Sequence, residues 1–249
     1  MTMRSFVIIT GANGGIGQAL VSIFSQAGYG VIATSASPKR EGLPCKHFIQ
    51  VDLQRSVQDE GYAAQVFSEI RQALDGQLLK GLINNAAVQI LGSVEELDRQ
   101  AWQQTLDVNL LAPFFWTQEL LLELSEAKGS VVNIGSIHAR LTKKNFVAYA
   151  TSKAALAGMT RAMAVDLGAK IRVNAIEPAA IETDMLKAGF EGKPELYRQL
   201  EQYHPIGMIG QPQEVARLAL MMVDDGLPFL NGAVIGLDGG ITGCLYDPE

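Results

Sequence analysis

Seven short apolar runs punctuate the chain, at residues 6–10, 31–34, 47–51, 81–84, 130–134, 171–176 and 233–237. They are rich in Val and Ile and lack polar alternation. Strands buried on both faces of a parallel sheet read this way. Between them lie longer stretches with helical spacing. These are 16–27 after a glycine-rich turn, 57–74 with Val66, Phe67, Ile70 and Leu74 on one face, 99–124, 148–167 and 213–223. Strand–helix alternation over the whole length predicts an α/β fold, a doubly wound parallel sheet with helices on both faces. No repeat, low-complexity tract or linker interrupts it, so 1–249 is expected to form one domain. Residues 182–210 break the rhythm, with Gly189, Gly192, Pro194, Pro205, Gly207 and Gly210 around a short helical pattern. Such an excursion reads as a substrate lid or as a surface insertion.

Composition narrows the class. A chain of 249 residues that is 48% hydrophobic can bury a large core, and 18% charged residues are too few for a disordered polymer. The net charge of −6 leaves no electrostatic footprint for nucleic acid or an anionic membrane, and neither is expected as a partner. Cys45 and Cys244 stand far apart without metal-ligand spacing, so no metal site is expected. They fit a reducing compartment as buried small hydrophobes. The first apolar run is too short for a signal-peptide core and no stretch approaches a membrane span, so a cytoplasmic protein is expected.

The turn Thr10-Gly11-Ala12-Asn13-Gly14-Gly15-Ile16-Gly17 follows the first predicted strand and opens a helix. It has the spacing T-G-x-x-x-G-x-G, because Leu20 occupies the last glycine position of the G-x-G-x-x-G form. Glycines admit backbone N–H groups to a pyrophosphate, and the helix N-terminus favours its charge. The alternative is a plain tight turn. Gly11, Asn13, Gly15, Ile16 and Gly17 are therefore candidate dinucleotide contacts. Asp52 with Leu53 follows the third strand, where a carboxylate can accept from an adenine amino group. Asn85 and Ala86 follow the fourth, where small side chains leave room for a ribose and asparagines can tie strands together. Pro178, Ile181 and Thr183 follow the sixth, where a nicotinamide can sit at the carboxyl edge of the sheet. After the second strand no acid occurs before Glu41. Ser35 and Ser37, with Lys39 and Arg40, can accommodate a 2′-phosphate, which favours NADP(H) over NAD(H). Neither Gly14 nor Ala36 is the arginine that often clamps that phosphate.

Tyr149 and Lys153 lie four residues apart in a helical stretch and share one face. A neighbouring ammonium lowers a phenol's pKa toward a useful range, so Tyr149 can exchange a proton with a hydroxyl or carbonyl. Ser136 ends the fifth predicted strand and can hold the carbonyl oxygen beside the phenol. Such a pair occurs by chance in many chains; the ordered elements before it raise its weight. Pro113, inside a predicted helix, cannot bond to the carbonyl of Asn109 and should kink the helix there. A freed carbonyl could hold a water that relays protons from Tyr149.

Taken together, these motifs resemble the short-chain dehydrogenase/reductase family over nearly the whole chain, through Leu237-Asp238-Gly239-Gly240. The resemblance implies a Rossmann-type fold with about seven parallel strands, and hydride transfer between a nicotinamide and a secondary alcohol or ketone. It implies Asn109, Ser136, Tyr149 and Lys153 as a catalytic tetrad, with Lys153 also on the nicotinamide ribose and Thr183 on the carboxamide. It further implies a homo-oligomer, tetramer or dimer, which the small residues Ala150, Ala154, Ala157 and Gly158 would let pack closely. Ala87 and Ala179 stand where the family usually has glycine, each adding one methyl beside the cofactor. Candidate substrate contacts are Ser136, His138, Tyr149 and Met185. The basic stretch Arg140, Lys143 and Lys144 either attracts an acidic substrate or forms a solvated face. The substrate reads as a small polyol or sugar, or alternatively as a 3-oxoacyl thioester. A non-catalytic nucleotide sensor is the reading from another class.

Overall fold

The structure, a computed structural model, describes residues 5–245. Seven parallel strands form one sheet: β1 (Phe6–Ile9), β2 (Gly30–Ser35), β3 (His47–Gln50), β4 (Leu79–Asn84), β5 (Ser130–Ile134), β6 (Arg172–Pro178) and β7 (Val234–Leu237), in the order β3-β2-β1-β4-β5-β6-β7. The order reverses between β1 and β4, which opens a crevice at their carboxyl ends. Alternate side chains of one strand enter opposite layers. Val7 and Ile9 pack with Leu20, Phe24, Val215 and Met222, while Phe6 and Ile8 pack with Phe67, Ile70, Trp116 and Leu124. Both layers are buried and apolar, which is why these strands carry no polar alternation.

Helices α1 (Gly15–Gln26), α2 (Leu53–Gln58), α3 (Glu60–Leu74), α4 (Arg99–Leu106), α5 (Ala112–Glu119), α6 (Leu121–Glu126), α7 (Val147–Leu167), α8 (Asp184–Gly189), α9 (Pro194–Gln202) and α10 (Pro212–Val223) connect and cover the sheet. Two expected helices are divided. The stretch 57–74 breaks because the Asp59 carboxylate accepts the Tyr62 N–H at 2.9 Å and starts α3 afresh. The stretch 99–124 passes through a π-turn at Asp107–Leu111, ahead of Pro113 in the first turn of α5. The expected kink is thus a widened turn centred on Asn109, with the Ala112 N–H reaching back to the Asp107 carbonyl. Cys45 and Cys244 are free and half-buried, not buried as their type suggests. No helix among the described residues is long and apolar enough to cross a membrane.

The excursion 182–210 carries α8 and α9. Its two ends are pinned together: the Glu182 N–H donates to the Gly210 carbonyl at 2.8 Å, and the Gly210 N–H to the Ala180 carbonyl at 3.1 Å. The segment therefore leaves and re-enters the fold at one point, at the carboxyl end of β6.

Candidate active site

A cleft of about 730 Å³ occupies the crevice, within the roughly 300–1,000 Å³ of small-molecule sites. Gly11, Asn13, Gly15, Ile16 and Gly17 line it, with Ser35 and Ser37, Asp52 and Leu53, Asn85 and Ala86, Tyr149 and Thr183. Gly11 has φ +65°, and a Cβ there would lie 2.7 Å from the Ala86 Cα. A Cβ on Gly17 would strike the Gly11 carbonyl oxygen. The cradle is thus closed to side chains and open to a group that needs backbone N–H donors. Gly14 caps α1 without any side-chain acceptor, so the donors of that helix's first turn are unclaimed by side chains. That chemistry fits a pyrophosphate.

The cradle is held from below. Thr10 Oγ1 accepts from the N–H groups of Asn85 and Ala86, both at 3.1 Å, while Asn85 Nδ2 donates to the carbonyls of Thr10 at 2.9 Å and Gly11 at 3.1 Å. Asn84 Nδ2 donates to Asn133 Oδ1 at 2.9 Å, joining β4 to β5. The asparagines do tie strands. Asn13 Nδ2 donates to Ser37 Oγ and to the Pro38 carbonyl, both at 2.8 Å, and its Oδ1 accepts the Arg40 N–H at 3.1 Å. This one side chain shapes the loop after β2 against the glycine turn. Asp52 caps α2 by accepting the Arg55 N–H at 3.0 Å and still lines the cleft.

Tyr149 stands at the cleft wall on α7; Asn109, Ser136 and Lys153 are buried and off the wall. Lys153 Nζ donates to the Ile134 carbonyl at 2.7 Å and lies 5.7 Å from the Tyr149 ring centre. Burial pushes this ammonium down to about 8. Burial also pushes the Tyr149 phenol up, opposed by its hydrogen bond with Ser136. The expected lowering of Tyr149 by the ammonium is therefore reversed in this structure, because desolvation of the phenol dominates. Ser136 Oγ accepts the His138 N–H at 3.2 Å, which leaves its own proton for another oxygen. Asn109 clamps Val88: Oδ1 accepts the Val88 N–H at 2.8 Å, and Nδ2 donates to its carbonyl at 2.9 Å. The same amide reaches Ser152 Oγ at 3.1 Å, and Ser152 Oγ donates to the Tyr149 carbonyl at 2.7 Å.

Several expected contacts lie elsewhere. His138 stacks on Phe146 at 4.5 Å and meets the Tyr149 ring edge-on at 5.8 Å, so it abuts the phenol without lining the cleft. Burial and Lys143 hold its imidazole below its ordinary pKa. Arg140, Lys143 and Lys144 are all exposed, as the solvated-face reading expects, but Arg140 also pairs at 2.9 Å with the buried carboxylate of Glu177 and Lys143 sits over the Phe146 ring. Pro178 and Ile181 are buried at the base of the 182–210 excursion, off the cleft wall. The Met185 side chain lies outside the described residues. Arg40, Val88, Gln89 and Gln104 line the cleft as well. Gln104 is one polar position on an amphipathic helix, and Val88 and Gln89 belong to an irregular loop; no local pattern marks them.

A glycine cradle at the switch point of a doubly wound sheet, beside a tyrosine and a buried lysine on one helix, defines a Rossmann-type nicotinamide-dependent oxidoreductase. Residues 11–242 match the family model described as Enoyl-(Acyl carrier protein) reductase, and the chain belongs to this family of short-chain dehydrogenases and reductases. It is 34% identical to Protein FixR of Bradyrhizobium diazoefficiens, over 94% of this chain and 85% of that one. It is also 34% identical to the 3-oxoacyl-(acyl-carrier-protein) reductase FabG of Thermotoga maritima, over 94% and 96%. Among solved structures, the ligand-free aldohexose dehydrogenase of Thermoplasma acidophilum superposes with TM-score 0.88 at 27% identity, covering 98% of this chain and 97% of that one. A 4-hydroxyisoleucine dehydrogenase complexed with NADH superposes with TM-score 0.86 at 28% identity, covering 97% and 100%.

Proposed function

We propose that this protein interconverts a ketone and a secondary alcohol, with Tyr149 as the proton carrier and NADP(H) preferred over NAD(H). The observation that carries the reading is Tyr149 on the cleft wall, backed by the buried ammonium of Lys153 5.7 Å from its ring centre. A nicotinamide bound there would supply the hydride for the carbonyl carbon, or accept it from the alcohol carbon. In the reducing direction Tyr149 gives its proton to the carbonyl oxygen while Ser136 donates a hydrogen bond to the same oxygen. Burial keeps Tyr149 protonated, which suits that direction. Lys153 stabilises the phenolate that remains, and the π-turn at Asn109 lies on the route by which a proton returns from solvent.

Gly11, Asn13, Gly15, Ile16 and Gly17 hold the pyrophosphate; Asp52, Leu53, Asn85 and Ala86 hold the adenosine. Lys153, Pro178, Ile181 and Thr183 serve the nicotinamide half. Ser35, Ser37 and Arg40 hold the 2′-phosphate. Arg40 is free to turn to it, because its pair with Asp184 is long, at 3.6 Å, and exposed. His138, against the Tyr149 ring, borders the substrate, 182–210 acts as a lid, and the single-domain chain works in the cytoplasm as a homo-oligomer.

Tyr149→Phe tests the chemistry. Turnover should fall by roughly 10²–10⁴-fold over a panel of sugars, polyols and 3-oxoacyl thioesters, with cofactor affinity kept. Undiminished turnover rejects the mechanism, and the panel itself decides between the two substrate classes. Arg40→Ala should raise KM for NADPH by about tenfold and leave NADH little changed; equal effects on both would remove the preference.

A further inference from the structure

The proposed chemistry leaves two buried acids unused, Glu177, which pairs with Arg140, and Asp107. Asp107 opens the π-turn and is 1% exposed. Its Oδ2 accepts from Gln58 Nε2 and its Oδ1 from Gln103 Nε2, both at 2.7 Å. Gln103 belongs to α4, one turn earlier on the same helical run. Gln58 is the last residue of α2, and α2 begins with Leu53 and Gln54 on the cleft wall. A helix of six residues does not hold itself in water, so tertiary ties set where that wall stands. Two such ties reach the π-turn run. One is Gln58 to Asp107, and the other is Trp116 Nε1 to Ser56 Oγ at 3.3 Å. Two residues beyond Asp107, Asn109 clamps Val88 on the cleft wall and, through Ser152, the carbonyl of Tyr149.

We propose that Asp107 is a positioning residue whose buried carboxyl, bridged to Gln58 and Gln103, fixes the adenosine-side wall and the Tyr149 end of the cleft relative to one another. It touches neither cofactor nor substrate. Its removal should therefore disturb both ends of the cleft at once, which loss of an ordinary core contact would not do.

Asp107→Leu keeps the branched side-chain shape and removes both acceptors, whereas Asp107→Asn can keep both bridges if one glutamine amide turns over. The test measures NADPH binding by fluorescence titration, and kcat, for each variant. Asp107→Leu should weaken NADPH binding and lower kcat, each by about tenfold, the equivalent of one lost hydrogen bond of alignment. Asp107→Asn should stay within about twofold of the wild type. In a double-variant cycle, adding Gln58→Ala to Asp107→Leu should cost nothing further. A folded Asp107→Leu protein whose NADPH affinity and kcat are both within about twofold of wild type overturns the proposal, as does additivity in the cycle. Should Asp107→Leu not fold, Gln58→Ala decides alone, since its side chain reaches in from an exposed position. Weaker NADPH binding supports the bridge and unchanged binding overturns it. The turnover arm rests on the Tyr149 reading, but the NADPH titration needs no substrate, so failure of one is distinguishable from failure of the other.

Discussion

Replacing Lys153 with Met should stabilise this protein at neutral pH while disabling the proposed chemistry. The side chain is 2% exposed, and the acceptor its ammonium engages is the Ile134 carbonyl at 2.7 Å. Its folded pKa falls from 10.5 to about 8. The unfolded chain keeps its lysine charged in water, while the native state must bury the charge; at neutral pH the difference costs about 3 kcal/mol. Met fills a similar volume without charge. It also strands the Ile134 carbonyl, which costs about 1–2 kcal/mol, so the net gain should be about 1–2 kcal/mol. The pH dependence is the sharper signature. Between the folded value of about 8 and the unfolded 10.5, the unfolded chain binds more protons than the native one. Wild-type stability from this group therefore rises with pH across that window. At about pH 9.5 the penalty shrinks to about 1 kcal/mol, so the advantage of Lys153→Met should fall by about 2 kcal/mol between about pH 7 and that pH. Urea unfolding of both proteins at the two pH values, followed by tryptophan fluorescence, measures it. A difference that does not change with pH would show that Lys153 is not desolvated, and the reasoning fails.

Two further outcomes follow from the same geometry. Gly11→Ala places a methyl 2.7 Å from the Ala86 Cα at φ +65°, so it should cost about 2 kcal/mol or more and abolish cofactor binding; calorimetric titration with NADPH showing wild-type affinity would contradict the cradle. Arg140→Ala strands the Glu177 carboxylate, whose side chain is 2% exposed and whose pKa burial already raises. A carboxyl raised in the folded state loses stability as pH rises. The deficit, about 2 kcal/mol at neutral pH, should therefore widen between about pH 5 and about pH 8 in urea titrations, and a constant deficit would mean lost packing instead.

Local signals in this chain were plain to read. All seven strands fall within two residues of the apolar runs that announce them, and α1, α7 and α10 begin and end where periodicity, glycine and proline say they should. The glycine turn was legible because a positive φ or a backbone-to-backbone approach can be met by very few residue types, and the asparagines after β4 because a short amide can bond neighbouring strands. The tyrosine–lysine pair was legible through helical spacing. Asp59 was harder, because it is a helix breaker only when its carboxylate turns back to cap α3, and the same residue in mid-helix would look no different.

Only three-dimensional packing decided the rest. Gln58 and Asp107 are 49 positions apart and each resembles an ordinary polar helix residue; one of them is buried because the other covers it. Arg140 is an exposed charge in sequence and in structure, and only the fold sets the buried carboxylate of Glu177 on β6 against it. Even the pKa directions of Tyr149 and Lys153 follow from the dielectric around them, not from their spacing. Apolar periodicity is a property of a short stretch of chain, so the chain alone dictates its strands, its helices and its glycine turn. The partner of a buried polar group is a property of the whole fold, and no local pattern carries it.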